Sequence, residues 1–209
     1  MKALEATFAT YLAQQMATDS AHDLEHIKRV VSMAKRLATA ETADLAVVIP
    51  AAWLHDCVTL PKNAPNRHEA SRLAAAEAVR FLRSIAYPEA HLAGIAHAIE
   101  AHSFSAGITP TTLEAKVVQD ADRLDAIGAI GVARCLLTGG ALERPLYHPT
   151  DPFCTTRQPD DLAYTIDHFY TKLFKLRQTL HTQAARDEAS RRNAFMHTFL
   201  DQLRLEIPA

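Results

Sequence analysis

Residues 22–38 read HDLEHIKRVVSMAKRLA. Leu24, Ile27, Val30, Val31, Ala34, Leu37 and Ala38 recur at the i, i+3, i+4, i+7 spacing that puts them on one stripe of an α-helix. A strand alternates its side chains every second residue, so this pattern does not suit one. Thr18-Asp19-Ser20 supplies N-cap oxygens just upstream, which predicts a helix over about 21–39. His22 and His26 stand one turn apart on that helix and project to the same face.

Working outward, the helical period continues. Helices are predicted at about 2–17, 43–55, 67–86, 88–102, 111–138, 161–181 and 184–205. Pro50 falls inside the 43–55 segment and marks a kink or a fresh helical start. TLPKNAPN (59–66) is a loop whose Asn66 caps the next helix, and Pro88 opens the following one at its first turn. SFSAGITP (103–110) is a second loop. Gly139-Gly140 is the expected end of the long 111–138 helix. The proline-rich stretch 141–160 is an irregular excursion with room for a small hairpin. The expected fold is all-α: one helical bundle of about seven or eight helices over residues 1–209, its core at about 20–138 and its C-terminal helices at about 161–205.

Composition agrees. With only six glycines and abundant alanine, the chain favours helix. At 209 residues it is long enough for one well-cored domain. A formal net charge of -2 argues against a dedicated binder of nucleic-acid polymers. Cys57, Cys135 and Cys154 are odd in number and form no CxxC pair, which speaks against a disulfide framework and for a reducing compartment. The N-terminal MKALEATFATYLAQQM is interrupted by Glu5 and does not read as a signal peptide. No apolar run is long enough to cross a membrane. The expectation is a soluble cytoplasmic protein with no membrane partner; nothing in the pattern speaks to its oligomeric state.

Three segments carry ionisable groups inside apolar surroundings. The first holds His22 and His26. The second is AAWLHDCVTL (51–60), where His55-Asp56 closes a greasy segment. Groups buried there need partners, because desolvating them alone is costly. Neighbours on a regular helix point about 100° apart, so both reach one ion only where the helix ends or distorts. The third is QDADRLDAIG (119–128), with Asp120, Asp122 and Asp125. Each signal alone is bland: a lone histidine on an apolar helix is ordinarily a packed core residue. Their joint occurrence, in this order, is not.

That order of His26, His55-Asp56 and the ADRL of Asp122, all on helices, resembles the HD superfamily of metal-dependent phosphohydrolases. HDLEHIKRV, LHDCV followed by PKNAPNR, AHSFS, VQDADRLDAIGAIGVAR and DHFYTKLFKL are similar to its YedJ/YpgQ-like branch over about residues 20–200. The resemblance implies a metal site of His26, His55, Asp56 and Asp122, with Asp120 the rival for the fourth position. Two imidazoles and two carboxylates suit a divalent Mn, Mg, Fe, Ni or Co ion. It implies a small phosphorylated substrate, most concretely a nucleoside or deoxynucleoside triphosphate cleaved to monophosphate and pyrophosphate by a metal-activated water.

Further roles follow from the resemblance. Lys62, with Asn63 and Arg67, would offset phosphate charge in the loop after His55-Asp56. His102 would protonate or bind the leaving phosphate. His22 is a candidate for water or substrate, and Asp23 for orienting His26 from behind. Asp125 is assigned to the catalytic set, orienting Arg123 or water, against the plainer reading of a capped polar patch. His168 and Lys172 share a face and are weaker candidates. Gly128 and Gly131 are read as allowing close helix packing, and Cys57 as a packed residue. The rivals are phosphodiester or signalling-nucleotide hydrolysis, oxygen chemistry at iron with extra ligands such as His68 and His97, and a non-catalytic helical regulatory module.

Overall fold

Nine α-helices and two short 3-10 turns account for most of the described residues, and none of those residues lies in a strand. The structure is a computed structural model that describes residues 2–16, 24–58, 60 and 64–208. The helices are α1 (Lys2–Met16), α2 (Leu24–Glu41), α3 (Leu45–Leu54), α4 (Ala70–Ser84), α5 (Glu89–His102), α6 (Leu113–Asp125), α7 (Gly128–Ala141), α8 (Asp167–Thr171) and α9 (Gln183–Glu206). The 3-10 turns cover Arg67–Glu69 and Leu173–Thr179. No single helix among the described residues is long and apolar enough to cross a membrane. The chain packs as two compact units.

The first unit comprises Met1–Asp122 with His181–Ala184. Its centre is α3, in which every residue from Val47 to Leu54 is buried. Asp44 caps this helix, its carboxylate accepting from the Ala46 amide at 2.8 Å. Pro50 lacks the N–H that would bond the Ala46 carbonyl one turn back. The Tyr87 hydroxyl fills that place, donating to the Ala46 oxygen at 2.6 Å, so the helix runs through its proline. Helices α1, α2, α4 and α5 pack on α3. The predicted stripe of α2 is the face that is buried, from Ile27 through Ala38. Glu5 on α1 accepts from the Trp53 indole at 3.1 Å and pairs with Lys35, linking α1 to α3 and α2.

The second unit comprises Arg123–Leu180 and Ala185–Ala209. Here the chain departs from the expected single helix over 111–138. The helix stops at Asp125, and Gly128 (φ 77°) restarts it as α7. Gly131 then lies so close to the preceding turn that a Cβ on it would stand 2.3 Å from the Ala126 carbonyl oxygen. Both glycines stand at a sharp break in the backbone, and Gly128 also permits the close packing expected of it, since a Cβ there would stand 3.0 Å from Arg192 Cγ on α9. Gly139-Gly140 lies inside α7, which ends at Ala141, and Glu143 two residues beyond that end is left-handed (φ 54°).

The excursion 142–166 contains no strand. It is tied down by carboxylates instead. Asp151 accepts from the amides of Thr155, Thr156 and Arg157. Arg157 grips the fully buried Asp167 through both terminal nitrogens, and the Asp160 amide adds a third donor at 2.6 Å. The expected helix over 161–181 is present only as α8 and the following 3-10 turn, separated by Lys172 at φ -133°.

Candidate metal centre

The first unit brings four sequence-distant groups together. His26 comes from the first turns of α2 and Asp122 from the C-terminal half of α6. His55 and Asp56 lie in the turn that follows α3, His55 still with helical dihedrals (φ -56°, ψ -34°). His26, His55 and Asp56 each offer a donor atom within 4.8 Å of the others, an arrangement able to hold a metal ion. Asp122 Oδ1 stands 3.4 Å from His26 Nε2 and 3.9 Å from His55 Nε2. Asp56 Oδ2 lies 3.5 Å from His55 Nε2.

His55 is the most informative member. Its ring is completely buried, and its Nδ1 lies 2.8 Å from the Ala52 carbonyl oxygen. That contact assigns the proton to Nδ1 and leaves the lone pair on Nε2. Nε2 has no hydrogen-bond partner. A buried polar atom left this way costs about 1–3 kcal/mol unless something else satisfies it. Burial also lowers the His55 pKa, so the ring is neutral near pH 7.

The carboxylates are ionised. Burial alone would raise Asp56, but the neighbouring His55 and the hydrogen bond with His102 hold it far below the ordinary range. Burial likewise opposes charge on Asp122, and the His26 hydrogen bond together with the nearby imidazoles of His55 and His102 outweighs it. Two imidazoles and two anionic carboxylates, with the unsatisfied lone pair of His55 facing them, fit a divalent cation.

His102 completes the cluster from the end of α5. Its Nδ1 lies 2.6 Å from the Ile99 carbonyl oxygen, and its Nε2 is 3.4 Å from Asp56 Oδ1. Its ring centre is 4.9 Å from that of His55. Burial works against its protonation, yet the hydrogen bond and charge of Asp56 raise its pKa. The two histidines thus use the same i−3 carbonyl contact, with opposite shifts set by their neighbours.

The remaining candidates fall elsewhere. Asp120, two residues before Asp122, does not face the cluster's imidazoles. Its buried carboxylate accepts from the amides of His181 and Thr182 and from the Thr182 hydroxyl, all at about 3 Å, at the entry to α9. Asp125 is in the second unit and buried, accepting from Arg134 at 3.0 Å, while Arg123 donates to the Thr179 carbonyl. Arg67 is exposed and donates to the Leu60 carbonyl at 3.2 Å. His168 pairs with Asp161 at 2.7 Å. His97 Nε2 is engaged by Thr111, whose amide lies 3.0 Å away. Cys57 packs with its thiol on the Ala74 carbonyl, burial pushing its pKa up to about 12. His22, Asp23, Lys62 and Asn63 lie outside the described residues.

One layer of the site had no local signal in the chain. Gln119 on α6 donates to the Ala101 carbonyl beside His102, and its Oε1 accepts from His181 Nε2 at 2.7 Å. The Gln119 Nε2–H bond to Ala101 links the helix that bears Asp122 to the one that bears His102.

The fold and this cluster define an all-α metal-dependent phosphohydrolase, and comparison with known proteins gives the family. The HD domain family matches residues 23–127, a span from the start of α2 to the break before α7. The chain belongs to the HD superfamily, in its YpgQ-like branch. It is 35% identical to Bacillus subtilis YpgQ over 203 residues, covering 93% of this chain and 90% of that one. A crystal structure of an HD-superfamily hydrolase from Bacillus thuringiensis superposes with a TM-score of 0.77 at 33% identity, covering 96% of this chain and 95% of that one. The crystal structure of Bacillus subtilis YpgQ in complex with ADP gives 0.74 at 32% identity, with 98% and 97% covered.

Proposed function

We propose that this protein hydrolyses nucleoside or deoxynucleoside triphosphates to the monophosphate and pyrophosphate, with His26, His55, Asp56 and Asp122 holding one divalent cation. The observation that carries the proposal is the buried, unpartnered Nε2 of His55 between two ionised carboxylates. A bound divalent ion supplies polarisation of a phosphoryl oxygen and a lowered pKa for an attacking water. The nucleotide class rests on the likeness to YpgQ, whose structure with ADP is known.

In this reading His102 holds a proton at Nε2, kept there by Asp56, and delivers it to the leaving phosphate. Asp56 thereby serves both the cation and His102. Lys62, Asn63 and Arg67 grip the phosphates from the loop after α3, with His22 contacting substrate or water. Asp125 has a positioning role through Arg134 at the α6–α7 break. The protein works in the cytoplasm, as one domain over residues 1–209, on a small phosphorylated molecule and not on a nucleic-acid polymer.

The test is metal analysis of the purified protein followed by a nucleotide panel with added Mn or Mg, reading pyrophosphate against orthophosphate. The expected result is stoichiometric metal, pyrophosphate release, and loss of both in Asp56→Ala. An Asp56→Ala protein that keeps stoichiometric metal and normal turnover refutes the mechanism.

A further inference from the structure

The loop that follows α5 carries Phe104, whose side chain is 80% exposed. Leaving a phenylalanine ring in water forfeits roughly 1.5–3 kcal/mol of burial, so a ring held out in this way is worth explaining. Its backbone is braced. Ser103 is extended (φ -73°, ψ 129°), and its hydroxyl lies 3.0 Å from that of Ser105. Phe104 and Ser105 open the turn that follows, and this hydroxyl contact ties its first residues together while the Phe104 ring stays in solvent.

The position of the ring matters more than its exposure. Two residues earlier stands His102, anchored on the Ile99 carbonyl and facing Asp56. Two residues of extended chain span at most about 7 Å, so Phe104 is rooted at the rim of the imidazole and carboxylate cluster. A substrate held there by its phosphates carries whatever is attached to them outward over that rim. For a nucleotide, the attached group is a ribose and a flat aromatic base.

We infer that Phe104 is the platform on which the base of a bound nucleoside polyphosphate stacks. The inference rests on the nucleotide reading above and deepens it. A ring offers a π-face and no hydrogen-bonding edge, so it holds any base and reads none of them. The enzyme is therefore base-tolerant, favouring purines over pyrimidines by stacking area.

The test compares wild type, Phe104→Ala and Phe104→Tyr on dATP, dCTP and inorganic tripolyphosphate, which has the phosphate chain and no base. The readout is the ratio of KM for each nucleotide to KM for tripolyphosphate. Phe104→Ala raises this ratio about tenfold for dATP and less for dCTP, and Phe104→Tyr restores it. Independently, the indole fluorescence of Phe104→Trp is quenched by dADP and not by pyrophosphate. A ratio that Phe104→Ala leaves at its wild-type value, or a Phe104→Trp emission indifferent to dADP, overturns the platform alone. A Phe104→Ala protein that changes sedimentation from dimer to monomer also overturns it, placing the ring in a self-interface. A wild type that cleaves tripolyphosphate but binds and cleaves no nucleotide refutes the nucleotide reading and the platform with it.

Discussion

Asp120 and Asp122 sit two positions apart on α6, so they point to different sides of one helix. Their surroundings give them separate tasks. Asp120 receives the His181 and Thr182 amides and the Thr182 hydroxyl, while Asp122 lies against His26 and His55. Replacing each by Asn should separate the two. Asp120→Asn leaves one acceptor oxygen and an NH2 where a carboxyl group held three donors, and should cost about 1–3 kcal/mol of stability while metal stoichiometry is kept. Asp122→Asn should leave the metal-free melting temperature within a few degrees of wild type and weaken metal binding by an order of magnitude or more. Calorimetric melting with and without chelator, alongside metal titration, reads both. Equal effects of the two substitutions on both quantities would contradict the assignment. Sequence order and the family pattern singled out His26, His55, Asp56, Asp122 and His102, and these do converge. The partners that prepare them were not legible: the Gln119 link to Ala101 and His181 joins residues 18 and 62 positions apart. Pairing at such separations leaves no periodic trace along the chain.

At the scale of the element, α3 shows how a helix is kept intact against its own sequence. A proline in a helix interior typically costs about 3 kcal/mol, part of it from the carbonyl left without a donor. Here the Tyr87 hydroxyl, 41 residues away, supplies that donor to Ala46. Tyr87→Phe should destabilise the protein by about 1 kcal/mol. In a Pro50→Ala background, the residue 50 amide returns to the Ala46 carbonyl, and the same Tyr87→Phe change should cost markedly less. A double-mutant cycle from urea midpoints measures the coupling, expected at about 0.5–1 kcal/mol. A coupling of zero would mean that the tyrosine acts through packing alone. The kink that Pro50 predicts is a local inference, and the remedy lies outside its window. Elements with a strong apolar period, such as α2 and α4, were legible for the opposite reason: the buried stripe itself is local. The α6–α7 break was not, because Ala126 and Ile127 continue the apolar run and only the φ of Gly128 marks the turn. Likewise 161–181 carries helix-forming residues, yet Asp167 is held by Arg157 and the Asp160 amide, and a single long helix is lost to that tether.

At the scale of the whole molecule, a net charge of -2 leaves little overall field, so the response to pH is set by individual buried groups. His55 and His102 shift in opposite directions, so their contributions near neutrality oppose each other in sign. Carboxyls dominate on the acid side. Asp167 shows the sign most clearly. Burial alone would raise its pKa, but Arg157 and the Asp160 amide hold it below the ordinary value. A carboxyl depressed in the folded state contributes stability that is present above its unfolded pKa, near 4, and is lost as pH falls through the folded value. Wild-type urea midpoints, measured with metal saturating, should therefore stay level from about pH 7 to 5 and fall below about pH 4. Arg157→Ala reverses the local sign. The guanidinium is gone and burial becomes the leading influence on Asp167, raising its pKa above the unfolded value. Breaking one side of such a pair should cost about 3 kcal/mol at pH 7, because a buried charge is left without its partner. Protonation then relieves the strain, so the variant should recover stability as pH is lowered from 7 towards 5, where wild type stays level. A variant whose midpoint runs parallel to wild type over that interval would show that Asp167 keeps its depressed pKa without Arg157, and that the amide at Asp160 is the partner that matters.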